Sequence, residues 1–192
     1  PVTMPSGVTR FTDVVAGDNA NCALGDNGRA YCWGAGNSRL MGDNTTTNRS
    51  TPFGVTMPGG VTFTQLVSGY WTMCAIGSNK KIYCWGQNVH RQFGNNGAST
   101  GAPLLAYDAS IEKLRGGQAM TCGIRTDNQT WCFGNYNGTG GAAPGVYPEV
   151  QSLPSGVTAF KDFAVGSQSR RGIGSDDQAY CVGNGTNGQL GY

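Results

Sequence analysis

The pattern Gly-x4-Cys-x9-Cys-aromatic-Gly recurs along this chain at intervals of roughly fifty residues, three times intact and once with its first cysteine replaced. The copies run from Gly17 through Cys22, Cys32, Trp33 and Gly34; from Gly69 through Cys74, Cys84, Trp85 and Gly86; from Gly117 through Cys122, Cys132, Phe133 and Gly134; and from Gly166 through Arg171, Cys181, Val182 and Gly183. Steps between the leading glycines are 52, 48 and 49 residues. A period of this length specifies a solenoid, a propeller or an array, in which each unit buries its apolar face only against its neighbours.

The flanks repeat as well. "MPSGVTRFTDVVAG", "MPGGVTFTQLVSG" and "LPSGVTAFKDFAVG" precede copies one, two and four. A second marker follows each Cys-aromatic-Gly, as Arg39-Leu40-Met41-Gly42, Arg91-Gln92-Phe93-Gly94 and Gly188-Gln189-Leu190-Gly191, and degenerates in copy three to a glycine run around Gly138, Gly140 and Gly141. Four units, approximately 1–51, 52–102, 103–147 and 148–192, fill the chain as a single array.

Charged residues make up 12% of the chain and there are 32 glycines, a composition of short strands and tight turns rather than helices. No segment carries a helical apolar period or a membrane-spanning apolar run, so an all-β protein without a membrane span is expected. The net charge of +2 comes from scattered basic residues, clustered only at Lys80-Lys81 and Arg170-Arg171. Without a continuous basic stripe, nucleic acid is not an expected partner. The chain opens at Pro1 with no apolar leader, which is the expectation for a processed chain or a fragment.

Each cysteine pair brackets a hairpin. If Cys22 opposes Cys32, then Leu24 opposes Ala30 and Asp26-Asn27-Gly28 is left as a three-residue turn with glycine at the position that favours a left-handed conformation. The same arithmetic places turns at Ser78-Asn79-Lys80, Thr126-Asp127-Asn128 and Ser175-Asp176-Asp177. Directly opposed residues are close enough for a disulfide, which predicts Cys22–Cys32, Cys74–Cys84 and Cys122–Cys132. Zinc is the competing reading, but its cysteine pairs usually sit two to four residues apart, and no metal or other cofactor is expected. Disulfides imply an oxidising compartment.

Five Asn-x-Ser/Thr triplets, at Asn44, Asn48, Asn128, Asn137 and Asn184, are candidate N-glycosylation sites, which would require surface exposure in a secreted protein. A chain rich in Asn, Thr and Ser also produces such triplets by composition alone. Cys181 faces Arg171 instead of a cysteine. It is either an intermolecular or free thiol, or a buried one acting as a small hydrophobe.

The segments "CALGDNGRAYCWGAGNSRLMG" and "CAIGSNKKIYCWGQNVHRQFG" resemble the regulator of chromosome condensation repeat, and the likeness extends over essentially the whole chain. Its paired-cysteine form is similar to extracellular repeats of crinkly-type plant receptor kinases. The resemblance implies that each unit is a four-stranded blade of a β-propeller, a fold whose rings in this family usually have seven blades against the four units here. No inserted wedge or basic tail matches the family's nucleotide-exchange member, so that activity does not carry over.

The residues give the blade independently. "FTDVVAG", "FTQLVSG" and "FKDFAVG" read as one strand, the hairpin as two more, and the segment around Pro-x-Gly-Val-Thr as the fourth. Phe11, Val14, Phe63, Leu66, Ile111, Leu114, Phe160 and Phe163 occupy matching places that suggest packing between blades. Trp33, Trp85, Phe133 and Val182 read as repeated core.

No enzyme signature emerges. His90 lies in a loop without a nucleophile motif, the acidic residues are mostly turn formers, and Gly138-Thr139-Gly140-Gly141 lacks the Lys-Ser/Thr of a phosphate loop. Two non-enzymatic classes remain. One is an extracellular structural or assembly protein whose in-phase units add head to tail into filaments or a surface layer, with copies of itself as partner. The other is a secreted recognition propeller, offering Tyr70, Trp71, Arg91 and Tyr136 to another protein or a glycan.

Overall fold

A computed structural model describes residues 1–95, 97–134, 145–150, 152–167 and 169–191, with backbone alone for 145–150. Among the described residues the helices and strands reduce to strands alone. Sheet 1 comprises β1 (Phe11–Ala16), β2 (Ala20–Gly25), β3 (Ala30–Gly34) and β4 (Arg49–Gly54), and sheet 2 comprises β5 (Phe63–Ser68), β6 (Thr72–Gly77), β7 (Ile82–Gly86) and β8 (Thr100–Tyr107). Sheet 3 follows with β9 (Ile111–Gly116), β10 (Met120–Arg125), β11 (Thr130–Gly134) and β12 (Gly145–Val150), and sheet 4 with β13 (Phe160–Val165), β14 (Ser169–Gly174) and β15 (Ala179–Gly183). Each sheet is an antiparallel meander in chain order.

The hairpin registers follow from the turn chemistry. Cys22 opposes Cys32, Cys74 opposes Cys84, Cys122 opposes Cys132 and Arg171 opposes Cys181. The last turn residue is left-handed each time, at Gly28 (φ 73°), Lys80 (64°), Asn128 (66°) and Asp177 (65°). Asn27, Asn79, Asp127 and Asp176 each accept through Oδ1 the amide two residues ahead, at 3.1 to 3.2 Å. This Asx turn compensates for the non-glycine left-handed residue in three of the four hairpins.

The fourth strand is not where the sequence placed it. Pro-x-Gly-Val-Thr is a tight turn, closed by the amides of Val8, Val61 and Val157 donating to Pro5, Pro58 and Pro154 carbonyls at 3.1, 3.2 and 3.0 Å. Gly7, Gly60 and Gly156 carry φ of 77°, 70° and 82° there, a conformation that ends a strand rather than extending one. The outer strands β4, β8 and β12 lie just upstream of the expected position and run across the repeat limits at 51, 102 and 147.

The sheets stack in sequence through their first strands, β1 against β5, β5 against β9 and β9 against β13. The leading glycine of each repeat sits at this seam. A Cβ on Gly69 would lie 2.8 Å from the Gly117 carbonyl oxygen, and one on Gly117 would lie 2.6 Å from that of Gly166. Among the described residues no strand pairing joins sheet 4 to sheet 1, so the array is open.

Candidate functional site

Side-chain alternation gives every sheet two faces, one toward the preceding sheet and one toward the following sheet. Between sheets 1 and 2, Phe63, Leu66, Tyr83 and Trp85 bury against a surface that includes Cys22, Leu24, Cys32 and Leu40. The Trp85 indole stacks on Phe63 at 6.1 Å and donates to the Leu40 carbonyl at 2.9 Å. Between sheets 2 and 3, Ile111, Leu114, Trp131 and Phe133 pack on Cys74, Ile76, Cys84 and Phe93. The Phe133 ring fits against Gly94, where a Cβ would lie 2.9 Å from it. Sheet 4 packs Phe163 against Cys122, Ile124 and Cys132.

The disulfides Cys22–Cys32, Cys74–Cys84 and Cys122–Cys132 therefore belong to these faces, not to the solvent side of the hairpins. Polar stitches reinforce the same joints. The amides of Phe63 and Ile111 donate to the turn carbonyls of Gly28 and Lys80, both at 2.9 Å. The Leu66 amide donates to Asp13 at 3.0 Å and the Leu114 amide to Gln65 at 3.1 Å. Every joint is thus the front of one sheet on the back of the one before it.

Among the described residues, the outermost face of sheet 1 and that of sheet 4 meet no other sheet. Val14 occupies the place of Leu66 and Leu114 yet is 66% exposed, where those are 2% and 0%. It is joined by Phe11, stacked on Trp33 at 6.3 Å as Phe63 is on Trp85. At the other end Ile173 holds the place of Leu24, Ile76 and Ile124 and is 47% exposed, where those are 4%, 2% and 3%. Cys181 is a half-buried free thiol on that same face of sheet 4, opposite Arg171.

The loop end of the array carries its own features. Tyr70 and Trp71, both half-buried, meet edge to face at 4.5 Å in the loop joining β5 to β6, and Val89 stands 64% exposed in the loop after β7. Asp43 fixes the long loop after β3, accepting from Arg49 Nη2 at 2.7 Å and from the Thr45 hydroxyl at 2.7 Å. Burial pushes the Asp43 carboxyl up, but the Thr45 hydroxyl, the Arg49 guanidinium and the Thr45 amide outweigh it and hold the carboxyl below its ordinary range. Buried Asn88 does the corresponding work after β7, accepting from the Phe93 amide at 2.9 Å and donating to the Gly97 carbonyl at 2.7 Å. Sequence reasoning missed both anchors. Their only signal was an Asn or Asp inside a glycine-rich loop.

Asn44, Asn48 and Asn128 are exposed, the last in a hairpin turn, and Asn184 is half-buried with its Oδ1 accepting the Thr186 amide at 2.9 Å. Asn137, Tyr136 and the glycine run at 138–141 lie outside the described residues. A cleft of about 330 Å³ opens between sheets 3 and 4, lined by Thr130, Pro154, Phe160, Arg170, Tyr180 and Val182. It lies where Val182 replaces the Trp85 and Phe133 of the tighter joints. Among the described residues no three His, Cys, Asp or Glu side chains gather as a metal site, and no helix is long and apolar enough to cross a membrane.

Family models described as the regulator of chromosome condensation (RCC1) repeat match residues 11–39 and 63–92, and 27–76. Together these spans run from β1 through β7. This is an RCC1-like repeat protein. The RCC1-like chain is 24% identical over 190 residues to the ultraviolet-B receptor UVR8 of Arabidopsis thaliana, covering 95% of itself and 43% of that protein. Its fold matches human WBSCR16 with a TM-score of 0.86 at 16% identity, over 98% of this chain and 51% of that one. It also matches yeast RCC1 (Prp20), solved bound to Kap60, with a TM-score of 0.80 at 20% identity, over 91% and 42%. The RCC1-like array thus spans about half the length of these proteins, and its four sheets are propeller blades of an unclosed arc.

Proposed function

We propose that this protein is a non-enzymatic assembly module of the extracellular space, whose blades join other blades head to tail. The observation that carries this reading is the front-on-back joint that the blades make with one another, in which Phe63, Leu66 and Trp85, and then Ile111, Leu114 and Trp131, bury against the blade before. Three buried disulfides support an oxidising site of action, and secretion follows from them as part of the proposal. The protein-bound state of yeast RCC1 supports protein, rather than a small substrate, as the partner class. Sedimentation velocity of the non-reduced protein over a wide concentration range tests the reading. Species heavier than one chain, growing with concentration, are expected, and a single-chain species throughout would overturn it.

A second reading has its own observation. The Tyr70–Trp71 pair and exposed Val89 on the loop end offer stacking area of the type that recognises a protein or a glycan. Glycan-array binding lost on Trp71→Ala, with the thermal melt unchanged, is the expected outcome under that reading.

A further inference from the structure

The joint between blades 3 and 4 departs from the two before it on both of its walls. On the fronts of blades 2 and 3 the residue after the second cysteine pairs across the hairpin as Trp85 with Met73 and as Phe133 with Thr121, all four buried. Blade 4 sets Val182 opposite Arg170 at the same place, and Val182 is 49% exposed. A bulky buried pair has become a cation beside a smaller side chain.

The facing wall changes in the same direction. On the back of blade 3, Thr130 stands where blades 1 and 2 place Ala30 and Ile82, both members of apolar clusters. Thr130 is buried as well, yet its hydroxyl has no hydrogen-bond partner among the described residues. Such a hydroxyl is costly to leave unmatched.

Between these walls lies the cleft of about 330 Å³, a volume within the range of small-molecule sites. Its aromatic side is held in place. The Phe160 ring lies against Gly172, where a Cβ would come within 2.6 Å of it, and meets Tyr180 edge to face at 6.3 Å. One joint earlier in kind, Phe63 holds the place of Phe160 and carries the Trp85 indole stacked on it at 6.1 Å. Among the described residues no ring stacks on Phe160 in that way.

We propose that this cleft binds a planar, electron-rich aromatic small molecule of indole size. Its ring takes the place that Trp85 fills in blade 2, stacked on Phe160 and facing the Arg170 guanidinium. A guanidinium attracts an aromatic face through the ring quadrupole and leaves its in-plane donors to other partners, so this contact does not depend on what else Arg170 bonds. An N–H or O–H on the ligand's edge donates to the Thr130 hydroxyl, which has lone pairs to accept it. Bound there, the ligand seals the thinnest joint of the array. The site is independent of the assembly reading, since it lies between two blades of one chain.

The test uses indole, the Trp85 side chain as a free molecule, added to the non-reduced full chain and followed by amide NMR shifts and thermal melting. Saturable binding at or below about 1 mM is expected. Shifts should fall in β11, β13, β14 and β15 and spare β2 and β3, with a melting temperature that rises with indole concentration. Cyclohexanol, which has no aromatic face, is expected to bind about tenfold more weakly, and 1-methylindole, which lacks the N–H, several-fold more weakly. Val182→Trp fills the site from the chain itself, so a higher melting temperature without indole and no saturable shift with it are expected. Arg170→Met restores the residue that blade 2 has there and should keep the site while weakening indole several-fold. No saturation up to about 10 mM, shifts centred on Tyr70 and Trp71, or a response unchanged in Val182→Trp would each overturn the site. Equal binding of cyclohexanol would overturn the aromatic class of ligand, and equal binding of 1-methylindole the role given to Thr130.

Discussion

At Gly117 the repeat's leading glycine is a packing requirement, because its Cβ would meet both Val165 and the Gly166 carbonyl at about 2.5 to 2.6 Å. Backbone cannot yield as a side-chain tip can, so Gly117→Ala is expected to destabilise the chain by about 1–3 kcal/mol, read as a lower urea midpoint at unchanged slope. The glycines were legible as repeat markers, but the reason for them was not, since the approaching backbone comes from a unit 48 or 49 residues away. Asp43 shows the same limit, because its partner Arg49 looks in sequence like any surface arginine. The carboxyl is held below its ordinary range by hydrogen bonds that outweigh burial, so its contribution is complete above the unfolded carboxylate pKa near 3.9 and is lost as pH falls through the lower folded value. Asp43→Asn is expected to cost about 1–2 kcal/mol at neutral pH. Thermal melts from pH 7 to pH 2 should show the gap to the parent protein closing below about pH 4, and a gap constant to pH 2 would rule out this carboxylate as its source.

At the scale of the element, the hairpins were readable to the residue and the outer strands were not. A hairpin declares itself through local arithmetic, with opposed cysteines, a fixed loop length and a left-handed turn residue, whereas β4 contains Pro52 and Phe53 in a stretch with no clean alternation. Its strand state comes from pairing with β3. The fourth hairpin offers a direct test of what the bridges contribute. Arg171 and Cys181 stand in the register that the three bridged pairs occupy, so Arg171→Cys is expected to form a fourth disulfide without rearranging the strands. The closed loop of about eleven residues predicts a stabilisation of about 2–3 kcal/mol on the chain-entropy argument, reduced by loss of the Arg171 bond to the Gln189 carbonyl. Thiol titration should fall from one free sulfhydryl to none, with a higher melting temperature under non-reducing conditions alone. A persistent free thiol would mean that blade 4 does not hold this register in solution.

For the whole molecule, an array in which each blade touches only its neighbours has a stability that varies along its length. The joint between blades 1 and 2 encloses Trp85, Leu40, Met41, Phe63 and Leu66, while the joint between blades 3 and 4 buries Phe163 over a smaller cluster and leaves a cleft of about 330 Å³. Blade 4 also lacks a bridge of its own. Local opening follows the fewest buried contacts, so amide exchange is expected to be fastest in β13 to β15 and slowest in β6 and β7, even though both regions have the same hairpin geometry. Val182 is the residue that makes the difference, since it stands where Trp85 and Phe133 seal the other joints and is 49% exposed. Val182→Phe places an aromatic ring beside the cleft at the position Phe133 fills one blade earlier, and the apolar area it can bury is worth about 1–2 kcal/mol. Exchange in β13 to β15 should slow by roughly the tenfold that such an energy gives, with β6 and β7 unaffected because they lie two joints away. Uniform protection along the parent chain would instead mean that the four blades open as one cooperative unit, and the thin joint would then carry no weakness of its own.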